Sequence, residues 1–198
     1  MNGSTPIFLI VGAPAVGKSS TAHALAARFP KSIHIPVDDV RDMVVSGLIH
    51  PSDEWGQRLI EQLTTARASV SQMAITYNRA SFVVVIDDFW DPNSQLSEYK
   101  RLFAERHVHR VLLYPSQNAA LARNLGRSGT GEASEYIAGG IQLVYAHLEM
   151  VVDDLEQRGF PRPVRPDHAH DAARRQGEGE VFEQQLVAIG LGDVLHLD

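Results

Sequence analysis

The sequence has 198 residues, no cysteine and a formal net charge of −6, with 44% hydrophobic and 21% charged residues. This composition is typical of a soluble globular protein that forms one domain, and it excludes a disulfide framework and a thiolate metal site. The net negative charge argues against a nucleic-acid-binding surface, which needs an excess of Lys and Arg. No apolar run is long enough to cross a membrane and the N-terminus has no basic region, so we expect a cytoplasmic location.

Short apolar runs alternate with segments of helical periodicity over most of the chain, and the pattern becomes weaker after residue 159. It predicts strands at residues 6–11, 32–36, 81–86 and 110–114, with an edge strand at 193–197. It predicts helices at residues 20–28, 39–46, 94–106, 116–126, 133–158 and 180–189, and a long helix that begins within 50–54. The run at 81–86 has no polar alternation, which is typical of a parallel strand buried on both faces. Strands that alternate with helices predict an α/β fold, a parallel sheet with helices on both faces.

The most informative stretch lies between the first strand and the first helix, and it reads Gly-Ala-Pro-Ala-Val-Gly-Lys-Ser. Two glycines four residues apart and then Lys-Ser are the phosphate-binding loop pattern in its confirming strand–loop–helix context. Backbone N–H groups and the helix N-terminus meet phosphate oxygens there. Lys18 is predicted to reach the β- and γ-phosphates, and Ser19 is predicted to bind Mg²⁺. The predicted nucleotide-binding residues are Gly12, Ala13, Pro14, Ala15, Val16, Gly17, Lys18, Ser19 and Ser20.

Acidic residues follow the next two predicted strands, at the edge where ligands bind in parallel α/β sheets. Asp87 comes directly after Val-Val-Val-Ile, and we predict that it holds Mg²⁺ together with the loop serine. Asp38 is predicted to orient and deprotonate an attacking hydroxyl, with Arg41 one helical turn later to bind the acceptor or the γ-phosphate. The alternatives are that Asp38 or Asp39 only caps a helix and that Asp87 is only a polar strand end.

Two arginines four residues apart, Arg123 and Arg127, share one helix face just before a segment rich in Gly, Ser and Thr at 127–132. This composition predicts a mobile loop, and we predict a lid over about residues 123–136. One guanidinium would stack on adenine and the other would pair with phosphate. The alternative is an ordinary solvated helix end, where Arg is favoured anyway.

Residues that contact the acceptor are expected in the helices at about 40–62 and directly after the third strand. The candidates are Trp55, Asp88, Phe89 and Trp90. The aromatic residues among them are equally consistent with core packing or with the walls of an acceptor pocket.

The order of these motifs resembles the P-loop kinase family, over about residues 6–150. The Asp38-Asp39-Val40-Arg41 segment and the Leu121 to Arg127 segment are most similar to the branch of polynucleotide 5′-kinases, zeta-toxin-like kinases and chloramphenicol phosphotransferase-like enzymes. The resemblance implies the three-layer P-loop fold, with Asp38 as the residue that activates the acceptor hydroxyl and Arg123 and Arg127 as lid arginines. Two departures are Ala15, where the family commonly has Gly, and Val37, where polynucleotide kinases tend to have a basic residue.

Three functions remain open from the sequence. The first is an ATP- and Mg²⁺-dependent kinase that phosphorylates a hydroxyl of a small molecule such as an antibiotic, a nucleoside or a sugar. The second is a 5′-hydroxyl nucleic-acid kinase, which the net charge and Val37 argue against. The third is a nucleotide-dependent ATPase or switch that acts through a protein partner. A second carboxylate near the acceptor favours a kinase over a switch.

Overall fold

The apolar runs of the described residues form a five-stranded sheet. A computed structural model describes residues 5–49, 56–90, 97–157 and 189–190. The strands are β1 (Ile7–Gly12), β2 (Ser32–Pro36), β3 (Val83–Phe89), β4 (Val108–Leu113) and β5 (Ile189–Gly190), and their order across the sheet is β2-β3-β1-β4-β5. β2 and β3 pair in parallel, with Pro36 opposite Asp87. The predicted α/β fold with a parallel sheet is confirmed.

Helices connect the strands. They are α1 (Lys18–Ala26), α2 (Val37–Asp42), α3 (Gln57–Arg79), α4 (Lys100–Glu105), α5 (Gln117–Ser128) and α6 (Glu132–Gln157), with a 3₁₀ helix at Ser97–Tyr99 before α4. Among the described residues, no helix combines the length and the apolar character that crossing a membrane requires.

The chain forms two compact units. The first contains residues 1–11 and 17–111, and the second contains residues 12–16 and 112–198. In the first unit, α1 and α3 both pack against β2 and β3. Helix α3 buries one apolar stripe, with Leu59, Leu63, Val70 and Ala74 among its core residues. In the second unit α5 packs against α6, and the buried residues of the two helices include Ala120, Ile141, Val144 and Leu148.

The third strand differs from its prediction at both ends. It begins at Val83 rather than Ser81, because Ser81 lies in a turn with φ 65°. It continues to Phe89, so Asp87 and Asp88 belong to the strand instead of following it. Successive residues of a strand point to opposite faces, and the two acids are therefore directed to different sides of the sheet.

Several helix bounds also differ. The helix predicted at 39–46 is α2, which begins directly after β2 at Val37 and ends at Asp42. The helix predicted at 94–106 is a 3₁₀ turn followed by α4, and α5 continues two residues beyond its predicted end, to Ser128. The helix predicted at 180–189 is wrong at its last residue, because Ile189 is in β5. The rest of that helix, the edge strand at 193–197 and the helix start at 50–54 lie outside the described residues.

Candidate active site

A short loop joins β1 to α1, which is the strand–loop–helix setting that the sequence predicts. β1 ends at Gly12 and α1 begins at Lys18, so residues 13–17 connect strand to helix directly. Gly17 precedes α1 with φ 97° and ψ 23°, a left-handed conformation that suits glycine. Ala15 is also left-handed, with φ 61°. Ala15 is the position where the resembling family commonly has Gly, and the structure explains why glycine suits it.

Gly12 is required by a close approach. A Cβ atom at this position would lie 2.6 Å from the backbone oxygen of Leu113 and 3.0 Å from Cγ2 of Val16. The first distance is far below van der Waals contact with an atom of the backbone, which cannot rotate away. Any side chain at position 12 would therefore displace the start of the loop or the end of β4.

The first half of the loop is held by the helices of the second unit. The Arg123 guanidinium in α5 donates a hydrogen bond from Nη1 to the Val16 backbone oxygen, 3.1 Å away. Gly140 in α6 lies against the Pro14 ring, since a Cβ atom on it would be 3.6 Å from Pro14 Cγ. Val16 is buried at 4% exposure. Arg123 thus supports the loop backbone, a contact that the sequence analysis did not predict.

Ser19 and Asp87, the two residues predicted to hold Mg²⁺, are brought together. The Ser19 hydroxyl donates to Asp87 Oδ2 over 2.8 Å, although 68 residues separate them in sequence. The Asp87 side chain is 6% exposed. A hydroxyl and a carboxylate present hard oxygen donors, which Mg²⁺ prefers, and Mg²⁺ keeps several waters or phosphate oxygens as its other ligands. The donor set therefore fits the ion.

His34 contacts the same carboxylate and was missed by the sequence analysis. Its Nε2–H donates to Asp87 Oδ1 over 2.5 Å, and its side chain is 15% exposed. The register places Pro36 opposite Asp87 and His34 opposite Val85. Because residues two apart on a strand share a face, His34 lies on the Asp87 side of the sheet. The sequence feature that could have identified His34 as a site residue is its position as a polar residue two positions before the end of β2.

The predicted acceptor-activating residues lie on the short helix after β2. Asp38 is in the first turn of α2 and is exposed, and Arg41 is half-buried one turn later. Residues three apart share a helix face, so the two side chains lie on the same side of α2. Among the described residues, Arg41 Nε is buried without a hydrogen-bond partner. This nitrogen is closed to solvent, while the Arg41 side chain as a whole is half-buried.

Asp88 is part of a buried ionic network on the opposite side of the sheet from Asp87. Arg67 in α3 donates from Nε to Asp88 Oδ2 over 2.7 Å and from Nη1 to Glu98 Oε1 over 2.8 Å. The Tyr99 hydroxyl also donates to Asp88 Oδ2, and the Phe89 N–H donates to Asp88 Oδ1. Arg67 is 0% exposed. Both carboxylate oxygens of Asp88 accept hydrogen bonds from the protein itself.

The ionisation of this network is set mainly by burial. Burial raises the pKa of Asp88 to about 6, while the charge of Arg67 acts to lower it and the charge of Asp38 adds to the rise. Burial acts to lower the pKa of Arg67, but the carboxylates of Asp88 and Glu98 outweigh it and raise that pKa. Burial and the neighbouring Asp88 raise the pKa of Tyr99 as well. At neutral pH Arg67 and Asp88 therefore form an ion pair, and Tyr99 stays a neutral hydroxyl that donates to Asp88.

The other predicted acceptor residues are placed differently. Trp55 lies outside the described residues. Trp90 is buried at 1% exposure. Phe89 is half-buried, and the Arg67 guanidinium carbon lies 5.0 Å from the centre of its ring. Core packing therefore accounts for most of the surface of Trp90, while Phe89 lies against the guanidinium of the ionic network.

The predicted lid is a helical hairpin. Residues 129–131 join α5 to α6, and Arg127 is exposed in the last turn of α5. Asn124, buried at 2% exposure, donates from Nδ2 to the Ser134 backbone oxygen over 2.8 Å. This bond fixes the beginning of α6 against α5, next to the helix face that carries Arg123.

Comparison with known proteins agrees with this architecture. The family model AAA_33, described as an AAA domain, matches residues 7–161. No curated protein matches the chain. A chain from the structure of the Pnkp1/Rnl/Hen1 RNA repair complex is similar, with a TM-score of 0.55, 19% identity and coverage of 75% of this chain and 47% of that chain. The sequence therefore spans just under half the length of that neighbour.

Two further structures match a similar share of the chain. The tunicamycin resistance protein of Deinococcus radiodurans has a TM-score of 0.50 and 20% identity, with coverage of 73% of this chain and 79% of that chain. A protein of Chloroflexus aurantiacus described as a kinase candidate has a TM-score of 0.51 and 16% identity, with coverage of 73% and 76%. At these identities the likeness concerns the fold, which is that of the P-loop kinases.

Proposed function

The chain belongs to the AAA_33 family, and from this membership and its kinase-like fold we propose that it is an ATP-dependent kinase. It transfers the γ-phosphoryl group of ATP to a hydroxyl of a small molecule, in the cytoplasm. The observation that carries the proposal is the hydrogen bond between Ser19 and Asp87 at the beginning of α1. It joins the last residue of the phosphate-binding loop to the acid of β3, the two groups that a P-loop kinase needs on its metal.

The loop binds the triphosphate through its backbone. The N–H groups at the beginning of α1 and the positive end of that helix attract phosphate oxygens, and Lys18 adds a full charge at the β- and γ-phosphates. Ser19 and Asp87 would hold Mg²⁺, which on binding with ATP neutralises charge on the phosphate oxygens. Following the resemblance, Arg123 and Arg127 are proposed to contact the nucleotide, while Arg123 also supports Val16.

Asp38 and Arg41 act on the acceptor. Asp38 accepts the proton of the acceptor hydroxyl as its oxygen attacks the γ-phosphorus, a new P–O bond forms, and the bond to the β-phosphate oxygen breaks to release ADP. The exposure of Asp38 leaves room for an acceptor to reach it. Arg41, half-buried on the same helix face, is proposed to bind the acceptor or the γ-phosphate through its guanidinium. A general base positioned like Asp38 typically increases the rate of the reaction by roughly 10²–10⁴-fold.

The charge of the chain supports a small acceptor. A net charge of −6 and three exposed acids on α2, Asp38, Asp39 and Asp42, do not form the basic track that a polynucleotide backbone requires. A small hydroxylated molecule has no such requirement. Of the residues predicted to contact it, Trp55 and Phe89 are retained in the proposal, because Asp88 and Trp90 are buried and both oxygens of Asp88 already accept hydrogen bonds.

A transfer screen tests the proposal. Radiolabelled γ-phosphate of ATP is offered with nucleosides, sugars, antibiotics that carry hydroxyl groups and 5′-hydroxyl oligonucleotides, and labelled products are counted. We expect label on at least one small molecule. Label confined to oligonucleotides would replace the proposal with a nucleic-acid kinase, and free phosphate with no labelled acceptor would favour an ATPase or switch.

Variants of α1 and α2 separate binding from transfer. Lys18→Ala should lose both ATP affinity and transfer, because it removes the charge at the phosphates. Asp38→Ala should reduce transfer by about 10²-fold or more while ATP affinity changes less than about threefold. Asp39→Ala is the matched control, since Asp39 is the exposed neighbour in the same turn. Full turnover in Asp38→Ala would remove Asp38 from the mechanism.

A further inference from the structure

The Asp87 carboxylate is held at both of its oxygens by residues from two other elements of the first unit. Oδ2 accepts from the Ser19 hydroxyl of α1 at 2.8 Å, and Oδ1 accepts from Nε2–H of His34 in β2. Asp87 has a side-chain exposure of 6% and His34 of 15%. Because little water reaches this contact, Ser19 and His34 determine the orientation of the carboxylate.

The parallel register explains why His34 reaches this carboxylate. His34 lies opposite Val85, two residues before Asp87 on the neighbouring strand and on the same face. An imidazole is long enough to span one such step diagonally along the sheet. α1 packs against this part of β2 and β3, which brings Ser19 to the other carboxylate oxygen.

From this geometry we propose that His34 is a positioning residue for the metal site of the proposed kinase. By fixing Oδ1, His34 directs Oδ2 of Asp87 towards the Ser19 hydroxyl. Mg²⁺ tolerates little departure from octahedral geometry, so the orientation of each protein oxygen strongly affects its affinity. Hydrogen-bond partners that orient metal ligands typically change metal affinity by about 10–100-fold when removed. The inference rests on the proposed function, because it assigns His34 to the same site.

The test measures metal affinity apart from turnover. Mn²⁺ serves as the probe, and its binding to the full chain saturated with a non-hydrolysable ATP analogue is followed by electron paramagnetic resonance. We expect His34→Ala and His34→Leu, which both lack the N–H donor, to weaken Mn²⁺ binding by about 10–100-fold. Affinity for the analogue in the presence of a chelator should stay within about twofold, because the loop and Lys18 are unchanged.

Two further variants separate positioning from packing. His34→Gln places an N–H near the position of Nε2 and should restore Mn²⁺ affinity to within about threefold of the native protein. His23→Leu is the matched control, because the His23 ring of α1 lies 6.2 Å from the His34 ring and is exposed. It should bind Mn²⁺ normally. Circular dichroism checks folding, and either His34→Ala or His34→Leu suffices if the other is unfolded.

The outcomes distinguish the two proposals. Native Mn²⁺ affinity in both donor-free variants would overturn the role of His34 and leave the proposed function intact. The role of His34 would also be overturned if the variants lost affinity for Mn²⁺ and affinity for the ATP analogue in the presence of a chelator to the same extent. His34 would then support the phosphate-binding loop rather than the metal ligand. Absence of nucleotide-dependent Mn²⁺ binding in the native protein would overturn the proposed function together with this inference.

Discussion

Arg67 of α3 is expected to stabilise the first unit through its buried ion pairs. It is fully buried, and its guanidinium bonds two carboxylates, Asp88 at 2.7 Å and Glu98 at 2.8 Å. Arg67→Met fills a similar volume without the charge. It leaves both carboxylates without their cation, and Asp88 is buried at 3% exposure.

The magnitude follows from the two lost bonds. A hydrogen bond to a charged group contributes about 1.5–3 kcal/mol, so two give about 3–6 kcal/mol. Removal of one partner of a buried ion pair costs about 3–5 kcal/mol, in agreement with that sum. For a chain of this length the melting temperature should fall by roughly 6–20 °C. Urea denaturation at pH 8, where Asp88 is ionised, measures the free energy of unfolding.

Matched variants show whether the loss comes from the network. Arg58→Met removes an exposed arginine of the same helix and should change the free energy of unfolding by less than about 0.5 kcal/mol. The double variant Arg67→Met with Asp88→Asn should lose at least about 1 kcal/mol less than the two single changes added together. If Arg67→Met lost no more stability than Arg58→Met, the network would contribute nothing and the reasoning would be refuted.

Three further predictions concern the loop and the pH dependence of stability. Gly12→Ala should lose about 1–3 kcal/mol in thermal unfolding, because its Cβ would meet the Leu113 oxygen at 2.6 Å; unchanged stability would contradict the close approach. Ala15→Gly should gain roughly 0.5–1 kcal/mol, because glycine adopts the φ of 61° without strain; a loss would show that the strain is absent. Burial raises the pKa of Asp88 from its ordinary value of 3.8 to about 6 in the folded protein, so the native state binds a proton that the unfolded chain has lost between these pH values. The stabilisation is complete below about pH 4 and is lost as the pH rises through 6, so the stability of the native protein relative to Asp88→Asn should fall by up to about 3 kcal/mol from pH 4 to pH 7. A constant or rising difference would contradict it.

Local patterns predicted the loop and the sheet because both depend on neighbouring residues. The octet that ends in Lys18-Ser19 needs only a strand before it and a helix after it, and both form. The signals for a strand, an apolar run bounded by turn residues, lie within a few positions of one another. The apolar runs therefore located four strands correctly. The predicted ends of elements were wrong where tertiary contacts determine how far an element extends. Strand β3, for example, continues through Asp87 and Asp88 because each acid has hydrogen-bond partners within the fold.

Long-range pairs were the part that the sequence analysis missed. His34 and Asp87 are 53 residues apart, and their contact depends on the β2–β3 register, which one sequence does not reveal. Arg67 lies within the buried stripe of α3, four residues after Leu63, and a charge at such a position needs a buried partner. Neighbouring residues of a strand lie on opposite faces of the sheet. Together with the need of Arg67 for a buried partner, this alternation would have predicted Asp88 on the face towards α3 and Asp87 on the face towards α1.

The central claim is that the loop of residues 12–19 binds a nucleoside triphosphate in the presence of magnesium. Isothermal titration calorimetry with ATP and Mg²⁺ tests it most directly, with Lys18→Ala as the comparison. We expect saturable binding by the native protein and a loss of affinity of at least about tenfold in Lys18→Ala. No detectable heat with any purine triphosphate, or equal affinity in the two proteins, would contradict the account.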